Sequence, residues 1–207
     1  MATTNPLRRV RLVLWGVAAL AVLVGGALLL GEAQRAQRAG LGMPAAAGVG
    51  GPFVLTRSDG SRFDSKALVG KPYAMFFGFT HCPDICPTTL MEMTNHLASL
   101  GTRAGDLNVL FVTVDPARDT PEHLKLYLSA FDKRIIGLTG TNDEIKAVTK
   151  AYRAYAEKVP SADGTSYTMN HTASVYLMDR AGRLVSTLSF EEPETSRQKK
   201  IDNLLAR

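Results

Sequence analysis

The chain has 207 residues, 45% of them hydrophobic and 21% charged, with a formal net charge of +5. That balance is too apolar and too mixed in sign for a disordered protein, and the length suits one folded domain. Five arginines against one glutamate put +4 of the charge into residues 1–50, so residues 51–207 carry only +1 and lack the basic footprint of a nucleic-acid binder.

Residues 12–30, LVLWGVAALAVLVGGALLL, run 19 positions without a charge, enough as a helix to cover about 30 Å of hydrocarbon. Arg8, Arg9 and Arg11 stand just before this run, and the positive-inside rule keeps such a cluster in the cytoplasm. A cleaved signal peptide has the same basic start, but its apolar stretch is about 7 to 15 residues long and ends at a small-residue site. Here the run passes into GEAQRAQRAG, so the expectation is a cytoplasmic segment over 1–11 and an uncleaved anchor over 12–31. Residues 32–51, rich in Ala and Gly, read as a flexible tether, with the folded domain over 52–207. Nothing before the span resembles a mitochondrial transit peptide, which points to a single-pass inner-membrane protein with its domain in the periplasm.

The domain opens with PFVLTRSDGSRF, where apolar and polar residues alternate around Ser-Asp-Gly as in a small β-hairpin. Tyr73 to Phe79 is a continuous apolar run, the pattern of a strand buried on both faces. Pro87 to Leu100 follows with Leu90, Met93, Leu97 and Leu100 on one helical face. Leu107 to Asp115 reads as a second buried strand. TPEHLKLYLSAF starts as a helix, with Thr120 as N-cap, Pro121 in the first turn and Glu122 near the positive end of the dipole. RIIGLTG is a short strand, and residues 141–156 form another helix. TASVYLMD and RLVSTLSF make a hairpin across Arg180-Ala181-Gly182, and a last helix runs from about Glu194 to Ala206. The order β, α, β, α, β, α, β, β, α implies a central mixed sheet flanked by helices. A buried strand feeding a cysteine-bearing loop that opens a helix, with a late hairpin and a terminal helix, is the plan of a thioredoxin-like fold.

The only cysteines, Cys82 and Cys86, lie in GFTHCPDICPTT between that strand and helix. Helix amides and the positive dipole end lower the pKa of a thiol at this position, and thiolate is the form that attacks disulfides and binds metal. A bridge that merely staples an exported domain is the plain alternative, but closing so short a loop removes little unfolded-state entropy. Dithiol oxidoreductases of thioredoxin type use two intervening residues and a cis-proline from a later loop. This chain has three, and its corresponding loop, SYTMNHTASVYLMD, has no proline and carries His171 just before the strand. Two thiolates and one imidazole suit Cu(I), Cu(II) or Zn(II). Structural zinc wants four closed ligands, whereas three-coordinate Cu(I) needs no fourth. His81 reads as a group at the surface or just behind the ligands beside the first cysteine, with a ligand role as the lesser alternative, and His96 and His123 read as surface residues on helices far from the mouth. Met75, Met91, Met93 and Met178 read as core, with Met169 a minor thioether candidate.

GFTHCPDICPTTL, VTVDPARDTPEHLKLYLSAF, IGLTGTNDEIKAVTKAYRAY and YTMNHTASVYLMDRAGRL together resemble the Sco/SenC family of copper chaperones for cytochrome c oxidase assembly, over nearly all of residues 52–206. The resemblance implies a membrane-anchored thioredoxin-like domain that binds one copper ion, Cu(I) or Cu(II), through Cys82, Cys86 and His171. It also implies delivery to, or thiol reduction of, the CuA site in oxidase subunit II, with other periplasmic copper chaperones or thiol reductants as further partners. Asp115-Pro116 and Arg118-Asp119 match the family's acidic loop and are expected near the site; a capped turn is the plain alternative. Asn170 stands where the family commonly has an acidic residue. The expectation is thus a metallochaperone rather than an enzyme. The alternatives are a thiol-disulfide oxidoreductase or peroxiredoxin-like peroxidase using the cysteine pair, or a sensor of copper or redox state.

Overall fold

The computed structural model describes Trp15 and residues 48–207. Apart from Trp15, the expected anchor over 12–31 lies outside the described residues. Among the described residues no helix is long and apolar enough to cross a membrane.

The first hairpin forms as expected from β1 (Val54–Arg57) and β2 (Arg62–Asp64). Asp59 shapes its turn by accepting hydrogen bonds from the amide and hydroxyl of Ser61, and Gly60 takes the left-handed conformation that the turn requires. β3 (Tyr73–Gly78) is buried at every residue, and helix α1 (Ile85–Leu100) follows it across the cysteine loop. β4 (Asn108–Thr113) lies parallel to β3, and β5 (Ile135–Thr139) lies parallel to β4. Between them runs α2 (Pro121–Leu128), whose N-cap Thr120 accepts the His123 amide. α3 (Asn142–Ala151) opens with a full capping box: the Thr141 side chain accepts the Glu144 amide, and the Glu144 carboxylate accepts the Thr141 amide.

Residues 141–156 do not continue as one helix. α3 ends at Ala151, and Arg153 adopts a positive φ of 51° that turns the chain out of the helical path. A separate two-stranded hairpin follows, β6 (Ala156–Pro160) and β7 (Tyr167–His171), in place of the helix end at Ala156 and the loop expected around His171. Its turn holds Asp163-Gly164, with Gly164 at positive φ and the Asp163 carboxylate accepting from Ser161 and Thr165. His171 therefore closes β7 rather than standing in a loop. β8 (Val175–Met178), β9 (Leu184–Leu188) and α4 (Glu194–Leu205) complete the chain as expected.

The described residues form a seven-stranded sheet in the order β2-β1-β5-β4-β3-β8-β9, with β6-β7 apart from it. The parallel trio β5-β4-β3 lies at the centre, and β1 and β8 flank it in antiparallel fashion. That is the mixed α/β sheet with flanking helices anticipated from the element order. Continuous apolar runs end up in the centre because helices cover both faces of such a sheet. Among the fully buried side chains are Phe76, Phe77, Phe79, Phe111 and Tyr152, and the Tyr152 hydroxyl sits 2.7 Å from that of Tyr73 inside the core.

Two side-chain expectations fail here. His96 is buried at 3% exposure because α4 packs against α1: its Nδ1 lies 2.7 Å from Gln198 Oε1, beside the Arg197–Glu92 ion pair at 2.9 Å. Met91 is 47% exposed, one position off the face that buries Leu90 and Met93. Met75, Met93 and Met178 are core residues as expected.

Candidate metal centre

The site begins with a missing side chain. A Cβ on Gly78, at the end of β3, would stand 2.7 Å from the Phe111 ring and 2.9 Å from Cys86 Sγ. Only glycine lets the first turn of α1 settle against the strand this closely. The Cys82 amide then donates to the Phe79 carbonyl, turning the chain toward the helix.

Asp84 holds the N-cap position of α1, yet its side chain caps nothing. The Cys86 amide donates instead to Cys82 Sγ at 3.4 Å, so the sulfur takes the place of a capping oxygen. Cys82 is half-buried and Cys86 is fully buried, and neither is in a disulfide. From the end of β7, His171 brings Nε2 to 3.5 Å from Cys86 Sγ. Its ring is held edge-on by Phe76 and Phe79, and its Nδ1 lies 3.0 Å from the Thr172 carbonyl. A carbonyl oxygen only accepts, so Nδ1 carries the proton and Nε2 keeps its lone pair for the site.

The sulfurs of Cys82 and Cys86 and a His171 ring nitrogen all lie within 4.8 Å of one another. In a trigonal site with metal–sulfur bonds of about 2.3 Å, the sulfurs stand about 4 Å apart, so little closure is needed. Two soft thiols and an imidazole fit a soft or borderline ion. The cluster has three members among the described residues, one short of the four that closed structural zinc sites use.

The two thiols titrate in opposite directions. Cys82 is pulled down to about 3, first by the hydrogen bond from the Cys86 thiol, with help from the amides of Asp84 and Cys86. Cys86 is pushed up, because its proton is held against the Cys82 sulfur and because it is buried. The helix terminus thus lowers one thiol, not both, and the reduced pair holds one thiolate and one thiol.

The loop after β4 ties the pieces together. Asp119 is fully buried and accepts from the Thr80 amide at 3.1 Å, the Thr80 hydroxyl at 2.6 Å and the Thr113 hydroxyl at 2.5 Å, which pins the residue two before Cys82. Asp115 accepts from Arg118 Nε and, at 2.9 Å, from the Tyr167 hydroxyl. Arg118 also donates to the Tyr167 carbonyl at 3.1 Å, and its guanidinium sits 3.8 Å from the centre of the Tyr167 ring. Asp115 and Arg118 therefore clamp β7, which carries His171, to the body of the domain. Asp115, Arg118 and Asp119 lie at the site as expected, and Pro116 takes no part in these contacts. Tyr167, Thr80 and Thr113 went unnoticed in the sequence. Tyr167 had a readable signal in its two-residue spacing from Met169 and His171 behind an Asp-Gly turn.

His81 stands at the rim, as expected. His123 is not far from it: the two rings stack with centroids 5.4 Å apart. Met169 is half-buried against the core.

Fold and site together define a thioredoxin-like domain with two cysteines and a histidine converging where its first central strand meets a helix. The SCO1/SenC family profile matches residues 42–206, and the chain belongs to that family. It is 41% identical to the mitochondrial protein SCO1 of Saccharomyces cerevisiae over 182 residues, which cover 82% of this chain and 61% of that protein. The chain spans about three fifths of the length of the curated relatives it matches first. Among solved structures, copper-bound ScoI of Bradyrhizobium japonicum is similar at 47% identity and a TM-score of 0.70, covering 75% of this chain and 99% of that one. Copper-bound ScoI of Arabidopsis thaliana is similar at 36% identity and a TM-score of 0.70, covering 76% and 98%.

Proposed function

We propose that this protein is a membrane-anchored copper chaperone that binds one copper ion through Cys82, Cys86 and His171. Its cargo would go to the CuA site of cytochrome c oxidase subunit II. The observation that carries this reading is the convergence of the three donors within 4.8 Å from two separate pieces of chain, the loop opening α1 and the end of β7. Family membership and the copper-bound relatives supply the identity of the metal.

The chain's own groups account for loading and release. The Cys82 thiolate meets the incoming ion, Cys86 surrenders its proton, and the His171 Nε2 lone pair is free because Nδ1 is engaged. Cu(I) with two thiolates and a neutral imidazole carries one net negative charge, and one proton leaves. Release proceeds by exchange with the thiols of a docked acceptor, each of which replaces one of these donors. Oxidation of Cys82 and Cys86 to a disulfide by exchange with an external disulfide, which takes up the two electrons and the remaining proton, removes both sulfur ligands and gates the site. The run over 12–31 would anchor the chain, with the arginines before it in the cytoplasm and residues 52–207 in the periplasm.

The test is an anaerobic Cu(I) titration of the full chain in detergent against a competing chelator. One tight equivalent is expected in the reduced protein, lost on oxidation and weakened in His171→Ala. Weak binding indifferent to both changes would sink the proposal.

One observation favours a second reading. A half-exposed, low-pKa Cys82 next to a buried Cys86 is also the arrangement of an attacking and a resolving thiol. Reduction of the oxidised CuA thiols of subunit II, with turnover undiminished in His171→Ala, would support a thiol-disulfide reductase instead.

A further inference from the structure

The chain enters the domain at the end of β3 opposite to the cysteines. The Gly50 amide donates to the Ala151 carbonyl at 2.9 Å, and a Cβ on Gly50 would stand 3.1 Å from Met178 Cε and 3.3 Å from the Gly182 carbonyl oxygen. Met178 pairs with Tyr73, the first residue of β3, whereas Cys82 follows the last, Gly78. Six strand residues, about 20 Å, therefore separate this entry from the metal centre.

Two turns close that end together. The Gly70 amide donates to the Arg180 carbonyl at 3.0 Å, and Arg180 Nη1 donates to the Gly70 carbonyl at 3.3 Å, which ties the turn before β3 to the turn between β8 and β9. On the first turn Val69 is 78% exposed, more than any other large apolar side chain among the described residues. Cations flank it. Residues 64–72 and 179–183 carry Lys66, Lys71, Arg180 and Arg183 against Asp64 and Asp179, a net +2, while residues 51–207 as a whole carry +1. Lys66 lies 3.8 Å from Asp64 and Arg183 lies 2.8 Å from Asp179. Lys71 and Arg180, both exposed, have no carboxylate partner among the described residues.

An exposed apolar side chain between free cations meets its complement where alkyl chains lie beneath phosphates. We propose that these two turns are a membrane-contact surface, with Val69 entering the headgroup region of an anionic bilayer and Lys71 and Arg180 meeting lipid phosphates. This surface rests on the anchored reading of residues 12–31. Sixteen residues, 32–47, separate that run from the entry, at most about 55 Å of chain. Confinement so close to the bilayer makes a weak contact sufficient, because the tether supplies the effective concentration. Contact at this end leaves Cys82, Cys86 and His171 on the side away from the lipid, open to an acceptor.

The chain has a single tryptophan, Trp15, within the proposed anchor. In the wild-type chain it reports on anchoring, and in Trp15→Phe combined with Val69→Trp the only indole reports on the contact. Both full chains are placed in nanodiscs of lipid with brominated acyl chains, made with and without phosphatidylglycerol. Bromine should quench Trp15 in both lipids and the Val69→Trp indole in the anionic discs. Each cation at an anionic surface strengthens binding about fivefold, so Lys71→Ala with Arg180→Ala should weaken the contact about 25-fold and relieve the quenching, as should high salt. Phe190→Trp in the Trp15→Phe chain, exposed beyond the opposite end of β9, should stay bright. A quenched Trp15 with an unquenched Val69→Trp indole, or equal quenching at Phe190→Trp, would overturn this surface and leave the anchor standing. A Trp15 that the lipid does not quench would overturn the anchor and this surface with it.

Discussion

Replacing Gly78 with alanine should damage stability and metal binding together. The added Cβ would stand 2.7 Å from the Phe111 ring and 2.9 Å from Cys86 Sγ, and both of those side chains are fully buried. β3 cannot slide away, because Gly78 pairs with Thr113 of β4 at the centre of the sheet. Relief to an ordinary contact of about 3.5 Å requires the Cys86 sulfur or its helix to move by roughly 0.6 Å, and overpacking of this kind costs about 1–3 kcal/mol. For a domain of this size that lowers Tm by about 2–12 °C. The same displacement carries Cys86 Sγ away from its position 3.5 Å from His171 Nε2, so Cu(I) affinity should fall by about tenfold or more. Gly137→Ala is the control: its Cβ would press on the Leu128 side chain, away from the cysteines, and should lower Tm without altering Cu(I) affinity. Thermal melts and chelator competition on both variants decide the matter. A Gly78→Ala protein with wild-type copper affinity, or one as stable as wild type, would refute the claim that close strand-to-helix packing positions the buried sulfur.

The clamp on β7 should matter through His171. Arg118→Ala leaves the buried Asp115 carboxylate without its cation and should cost about 3–5 kcal/mol, whereas Tyr167→Phe should cost only about 1 kcal/mol. Both should weaken Cu(I) binding in the same order, and a Tyr167→Phe protein weaker in copper binding than Arg118→Ala would break the argument. Because the reduced pair holds one proton at neutral pH, Cu(I) loading between pH 7 and 8 should release one proton per ion, and affinity should rise about tenfold per pH unit over that interval. Release of two protons, measured by calorimetry in buffers of different ionisation enthalpy, would contradict that protonation state. Asp179 provides a separate pH test. Burial raises its pKa, but the amides of Arg183 and Ala181 and the Arg183 side chain outweigh this and hold it below the ordinary carboxylate value. A depressed folded pKa gives stability that is present above the unfolded value of about 3.9 and lost as pH falls through the folded one. Asp179→Asn should therefore be less stable at pH 7 and lose less stability between pH 5 and pH 2 in denaturant titrations.

Much of this protein is legible in one dimension because its signals are local. A run of consecutive apolar residues dictates a buried strand at Tyr73–Gly78, and Thr141 with Glu144 dictates a helix start, since each acts within one turn or one strand of chain. The cysteine motif announces itself for the same reason, with both thiols inside five residues and the helix starting between them. The hairpin β6-β7 escaped because residues 152–155 continue a helical pattern, and only the left-handed Arg153 and the pairing of Ala156–Pro160 with Tyr167–His171 end it. His96 looked like a surface residue because α4, which buries it, arrives a hundred residues later.

The sequence by itself determined the elements of the central sheet, the helices beside them and the chemical types that could meet a metal, because periodicity, capping and turn formation are short-range. Only the tertiary structure decided the arrangement: that Cys82 and Cys86 hold unequal thiols, that Asp119 reaches across the sheet to fix Thr80, that Asp115 and Arg118 grip the strand carrying His171, and that His123 stacks on His81. The thiols differ because the folded loop sets one against the other within four residues of chain, and the remaining three depend on distances between groups far apart in the chain. Such distances are set by packing of the whole core, and no local pattern encodes them.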